Sequence, residues 1–236
     1  NYTVKMPKDL DLDLYNKYGD VYIDELTGYS KINVKYGNLQ ANKLLRNDTK
    51  PISSITLRYG KGNVSEIGWM KIEIKYFKLK IEKSRALVVQ SKYSKLYIDK
   101  ASSIVSESKY DSYDIGTIDN FVIEGAYSGY KIGYLGKKLS LETKYTGTTV
   151  EKIPASFELI KIENSYGGIK LGIAGDASYH LKGEARYAKI SFPSSNNMNR
   201  IEKSSSATYD GIVGNSSDPK ARVVITTSYG GVKLDY

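Results

Sequence analysis

Residues 16–41, NKYGDVYIDELTGYSKINVKYGNLQA, hold one phrase twice: two short alternating segments that meet at a tyrosine, first Tyr18 and then Tyr36. The phrase returns as LRYGKGNV from Leu57, IKYFKLKI from Ile74, NSYGGIKL from Asn164 and TSYGGVKLDY from Thr227. Taking one tyrosine per phrase gives Tyr18, Tyr36, Tyr59, Tyr76, Tyr93, Tyr110, Tyr127, Tyr145, Tyr166, Tyr187, Tyr209 and Tyr229, spaced 17 to 23 residues apart over the whole chain. An internal period of this size decides the fold before any single segment does.

The flanks keep a strict phase. Four residues before the tyrosine stand Leu14, Ile32, Ile55, Ile72, Val89, Ile123, Leu141, Ile162 and Ile225. Five after it stand Ile23, Ile81, Ile98, Ile115, Ile132, Val150, Leu171 and Leu234. Alternation on both sides of a corner means two short strands, each with one apolar face. A unit of about twenty residues cannot bury that face alone, whereas stacked units bury a continuous core. No helical period is sustained anywhere in the chain. The drift in unit length argues against a strict hexapeptide coil. The reading is all-β: a single-domain parallel β-solenoid over residues 1–236, right-handed, of about twelve coils. The alternative is a sandwich of antiparallel hairpins. Equivalent positions then lie one rung apart, about 4.8 Å, and the tyrosines form a ladder. Counting parity from the apolar residues two and four before it, each ring is expected to face inward at the corner.

Charge follows the same period. One residue before the tyrosine stand Lys17, Lys35, Arg58, Lys75, Lys92, Lys109, Lys144 and Arg186; two positions further back stand Glu73, Glu107, Glu124, Glu142, Glu163 and Glu184. Adjacent stripes of opposite sign predict a solvated face laced with salt bridges, each worth a few tenths of a kcal/mol. The net charge of +9 is thus spread over a mixed surface. With no recognised motif, nucleic acid is not an expected partner. The residual excess suits adhesion to anionic surface polymers.

Catalytic and metal chemistry find little footing. There is no Cys, the lone His180 lacks a companion and reads as a surface residue, and Asp11, Asp13, Asp111 and Asp114 match no calcium-loop spacing. No phosphate-cradling GxxxxGK[ST] and no GxSxG occur. The departures from the short coil, NDTKPISS from Asn47, KGNVSEIGW from Lys61, PSSNNMNRIEKS from Pro193 and NSSDPKAR from Asn215, are too short to wall a deep cleft. A groove lined by two or three carboxylates would instead favour a carbohydrate-active enzyme. No catalytic residue, cofactor or metal ligand is assigned. The candidate ligand surface is aromatic: Tyr15, Tyr22 and Tyr97, which parity points outward, and Trp69 in a short insertion. The longest apolar runs, such as Ala86 to Val89, fall far short of a membrane span.

The opening MPKDLDLDLYNKYGDVYIDELTGYSKINVKYGNLQANKL, with its PK, its iterated YG phrase and its I-x-x-L-x-G connection from Ile23 through Leu26 to Gly28, resembles a group of adhesin domains, including auto-transporter adhesin heads, in exported proteins of Gram-negative bacteria. That resemblance implies a β-solenoid in the periplasm or on the cell surface, without enzymatic activity, that binds a surface glycan or protein. It also implies a segment upstream of Asn1. No functional residues are carried over from it. A carbohydrate-active enzyme, lyase or glycosidase, is the alternative. A third expectation is end-to-end self-association, because TTSYGGVKLDY runs to Tyr236 without a polar cap and an uncapped rung presents strand edges.

Overall fold

In the computed structural model, which describes residues 2–195 and 197–235, the alternating segments on both sides of each corner are β-strands. The first rungs are β1 (Leu12–Lys17), β2 (Val21–Leu26), β3 (Ser30–Lys35) and β4 (Leu39–Leu44), followed by the long, repeatedly bent β5 (Ser53–Lys92). The middle is β6 (Lys95–Lys109), β7 (Ser112–Ala126), β8 (Gly129–Lys144) and β9 (Gly147–Ile153). Then come β10 (Leu159–Ser165), β11 (Ile169–Ile173), β12 (Tyr179–Arg186), β13 (Ile190–Ser191), β14 (Asn197–Lys203), β15 (Ser206–Val213), β16 (Ala221–Ser228) and β17 (Val232–Asp235). Among the described residues these seventeen strands form one hydrogen-bonded sheet system, and the pairing is parallel except for β12–β15 and β14–β15.

Parallel register puts like on like. Ile81 lies opposite Ile98, Ile98 opposite Ile115, Ile115 opposite Ile132, Ile132 opposite Val150, and so on to Leu171 and Leu234. From Tyr36 onward the residues four before each ladder tyrosine are equally enclosed, with Ile72 and Ile162 fully buried, while Leu14 on the first rung is partly buried. One continuous aliphatic core therefore runs the length of the stack, each branched side chain shielding the next.

The corners depart from the parity count. Eleven ladder tyrosines, from Tyr18 to Tyr229, hold a positive φ of 49° to 63°. A single left-handed residue interrupts the two-residue alternation, so Lys75 and Tyr76 both point outward before Phe77 turns in. The rings are consequently exposed, 41% at Tyr93 and 72% at Tyr18, and not inward-facing. The backbone ladder survives the turn: the Tyr18 N–H donates to the Lys35 carbonyl at 3.0 Å, and Tyr127 does the same to Lys144 at 2.9 Å.

Tyr209 is not a ladder residue. It lies in β15, 3% exposed, with its ring edge-on to Phe192 at 5.3 Å. It faces Gly183 across the antiparallel pair, where the missing side chain makes room for it.

Rung order does not follow chain order at the far end. β16 pairs with β10 on one side and β12 on the other, and β17 lies likewise between β11 and β13. The chain thus passes over one rung position, builds the next, folds back through the β14–β15 hairpin, and fills the vacant position last. The final unit is internal, so the uncapped-end motive for end-to-end pairing does not apply to it. Tyr236 lies outside the described residues. The stack closes instead on the antiparallel hairpin, whose outer strand β14 carries Arg200, Glu202 and Lys203.

Candidate functional site

The ladder is an external ridge. Successive ring centroids, from Tyr18 through Tyr36, Tyr59, Tyr76, Tyr93, Tyr110, Tyr127, Tyr145 and Tyr166 to Tyr229 and finally Tyr187, stand 4.8 to 5.3 Å apart at interplanar angles of 15° or less. Stacking covers both faces of each internal ring and leaves its edge to solvent. Such a row presents ring edges along its length, and among its rings only Tyr18 and Tyr187 at the two ends keep a face not stacked on another ladder ring.

The charged stripes differ from the salt-bridge expectation. Among the described residues, Arg58–Glu73 at 2.9 Å is the one ion pair that joins the basic stripe to the acidic one. Lys75, Lys92 and Lys109 hold their ammonium groups over the rings of Tyr76, Tyr93 and Tyr110 at 5.6, 5.6 and 5.7 Å. The left-handed corner swings each ring back beside the preceding residue, within reach of its stem, and the ring competes with the carboxylate for the ammonium group. The acidic stripe keeps its own stacking: Glu107, Glu124, Glu142 and Glu163 lie directly opposite one another in register. They line an open groove of about 810 Å³ together with Lys92, Lys109 and Lys144.

Beneath this groove lies a buried polar cluster that the sequence reading passed over. The Asp111 carboxylate, 6% exposed, accepts hydrogen bonds from Ser91 Oγ (2.6 Å), Ser108 Oγ (2.9 Å), the Ser94 N–H (2.7 Å) and the Lys109 N–H (2.9 Å). The Tyr113 hydroxyl joins Ser91 and Ser106 at 2.6 and 2.8 Å. Burial raises the Asp111 carboxyl above its ordinary value, and the four donors pull it back. Burial also pushes the Tyr113 hydroxyl well up. Enclosed in this way, Asp111 organises the corner and does not reach solvent chemistry. The available signal was positional: Asp111 follows a ladder tyrosine where the other rungs carry Gly, Ser, Thr, Phe or Ala. Gly125 completes the cluster, since a Cβ there would sit 1.9 Å from the Tyr130 hydroxyl.

The four aromatics singled out by sequence do not converge. Tyr15 and Tyr22 are exposed on the first rung, on opposite sides of Tyr18. Tyr97 is half-buried four rungs along, with Lys78 Nζ 5.0 Å over its ring. Trp69 is half-buried in a different part of its rung, where its backbone N–H donates to the Arg46 carbonyl. His180 is exposed on β12. Among the described residues no group of three or more His, Cys, Asp or Glu is disposed to hold a metal ion, and no helix is long and apolar enough to cross a membrane. No protein-family model, curated protein or solved structure matches the chain.

Proposed function

We propose that the chain is a right-handed parallel β-solenoid that serves as a binding or adhesion module of the Gram-negative cell envelope, exported to the periplasm or cell surface. Parallel rungs joined by right-handed crossovers are the favoured hand for twisted strands. The observation that carries the reading is the exposed ridge: eleven rings held in one orientation, eight of them preceded by Lys or Arg, on a frame with a continuous aliphatic core. A rigid, repetitive, solvent-facing surface suits multivalent contact with a surface glycan or an extracellular protein.

The test is binding of the purified chain to an array of bacterial and host glycans and matrix proteins at two salt concentrations, with product release assayed in the same wells. Saturable binding without products is the expected result, and an array silent at both salts refutes the reading. The groove with its stacked Glu107, Glu124, Glu142 and Glu163 supports a second reading, a glycosidase or lyase, because paired carboxylates are what glycosidic cleavage uses. Released oligosaccharide that disappears in Glu124→Gln and Glu142→Gln would establish it.

A further inference from the structure

Several lysines along the stack find an acid on a neighbouring rung. Lys31 pairs with Asp13, Lys80 with Asp99, Lys83 with Glu66, Lys131 with Glu151 and Lys138 with Glu158, at 2.8 to 3.6 Å. Among the described residues no such pair forms immediately after the ladder tyrosines between Tyr59 and Tyr93. Two residues after each tyrosine stand Lys61, Lys78 and Lys95, all exposed, and Lys78 lies directly opposite Lys95. The next outward residues on this flank are Asn63, Lys80 and Tyr97, so no acidic row runs beside them. On the other flank of the same three rings stand Arg58, Lys75 and Lys92, with Glu73 committed to Arg58. Six cations thus border three stacked phenols whose centroids are 5.1 and 4.9 Å apart. Like charges directly opposite destabilise a sheet, and on the Lys61 flank the contact that offsets them is the Tyr97 ring, 5.0 Å from Lys78 Nζ, with no carboxylate paired to Lys61, Lys78 or Lys95 among the described residues. Position is not the constraint, because the same site holds Asp20, Asn38, Ser112 and Gly129 in other rungs.

We propose that an extended acidic polysaccharide lies lengthwise along the ladder between Tyr59 and Tyr93, its carboxylates or sulfates held by Lys61, Lys78 and Lys95 and by the Arg58, Lys75 and Lys92 row. This rests on the binding-module reading and names its ligand class. An extended chain of 1,4-linked uronic acids advances by about one rung per sugar, which gives each rung a negative group of its own. The tyrosine hydroxyls on the ridge supply hydrogen bonds to sugar hydroxyls between the charged rows. Single-stranded nucleic acid needs ring faces on which bases stack, and here those faces are covered by neighbouring rings.

The experiment is calorimetric titration of the intact chain with polygalacturonate oligomers at low and moderate salt, beside cello-oligosaccharides and an oligo(dT). Two triple variants are compared, K61Q/K78Q/K95Q and K100Q/K137Q/K152Q. The second set takes the same three charges from exposed lysines seven to ten residues past their ladder tyrosines. The ladder triple is expected to weaken polygalacturonate binding by about tenfold or more, the control triple by less than about twofold. Equal losses in both triples, tighter binding of oligo(dT), or no polygalacturonate binding by the unmodified chain would each overturn the proposal. Array binding of a neutral glycan or a protein that the ladder triple leaves intact would keep the binding-module reading and remove this one; silence in both experiments would remove both.

Discussion

The left-handed corner predicts an inversion of a familiar order. Tyr93 has φ of 53° and stacks on Tyr76 and Tyr110, each at 4.9 Å and within 2° of parallel. Truncation to alanine removes two ring contacts, worth about 0.5–1.5 kcal/mol each, and keeps a Cβ in a conformation that disfavours one by roughly 1–2 kcal/mol. Truncation to glycine loses the same contacts but releases that strain, against a chain-entropy penalty of about 0.5–1 kcal/mol. Tyr93→Gly should therefore be more stable than Tyr93→Ala by about 1 kcal/mol. Lys95, two residues on and in ordinary strand geometry, is the internal control. There alanine should exceed glycine by about 0.5–1 kcal/mol. Guanidinium denaturation of the four variants, with stabilities taken from midpoints at a common slope, reads the comparison directly. Tyr93→Phe, which keeps the stack, should stay within about 0.5 kcal/mol of the parent. If alanine is the better residue at 93, the ring is not holding a strained corner and the account of the ladder is wrong.

Two further predictions concern what lies behind and beyond the ladder. Because burial raises Asp111 above its ordinary value of 3.8, the folded chain binds that proton more tightly than the unfolded chain. The contribution of Asp111 to stability is therefore greatest below 3.8, declines as pH rises through the folded value, and is level above it. The stability of the parent minus that of Asp111→Asn should fall with rising pH across this window, and a difference that grows with pH would contradict the assignment. Removal of residues 221–236 empties the position between β10–β11 and β12–β13. Amide exchange should then lose protection over residues 179–213 while residues 53–144 keep theirs, and a peptide of residues 221–236 added in trans should restore it. Unchanged protection at 179–213 would refute the interleaved order.

The period, the strands and the inward aliphatic positions were legible in the sequence because each depends on alternation within a few residues: Ile32, Ile55, Ile162 and Ile225 are buried where the pattern puts them. Three features were not. Parity carried the tyrosines inward because nothing in a phrase such as KYG marks the tyrosine itself as left-handed in place of the glycine after it. Tyr209 read as a twelfth rung because the YD that follows a Ser–Ala–Thr strand resembles a corner, while its antiparallel partner and Gly183 are distant in sequence. The acidic stripe read as the partner of the basic one because spacing along a strand does not reveal that a turned ring lies closer to each lysine.

What the sequence determined alone is the unit: two strands, a tyrosine corner, and a face that must be covered by another copy of the same unit. What the tertiary structure decided is which copy covers which. Rungs with interchangeable apolar faces carry little information about their order, so the placement of the last unit between the rungs of Ile162 and Leu181 follows from the hairpin that turns the chain back. The same holds for the cations beside Tyr59, Tyr76 and Tyr93, which stand seventeen residues apart in the chain and become one surface because parallel register stacks equal positions about 4.8 Å apart.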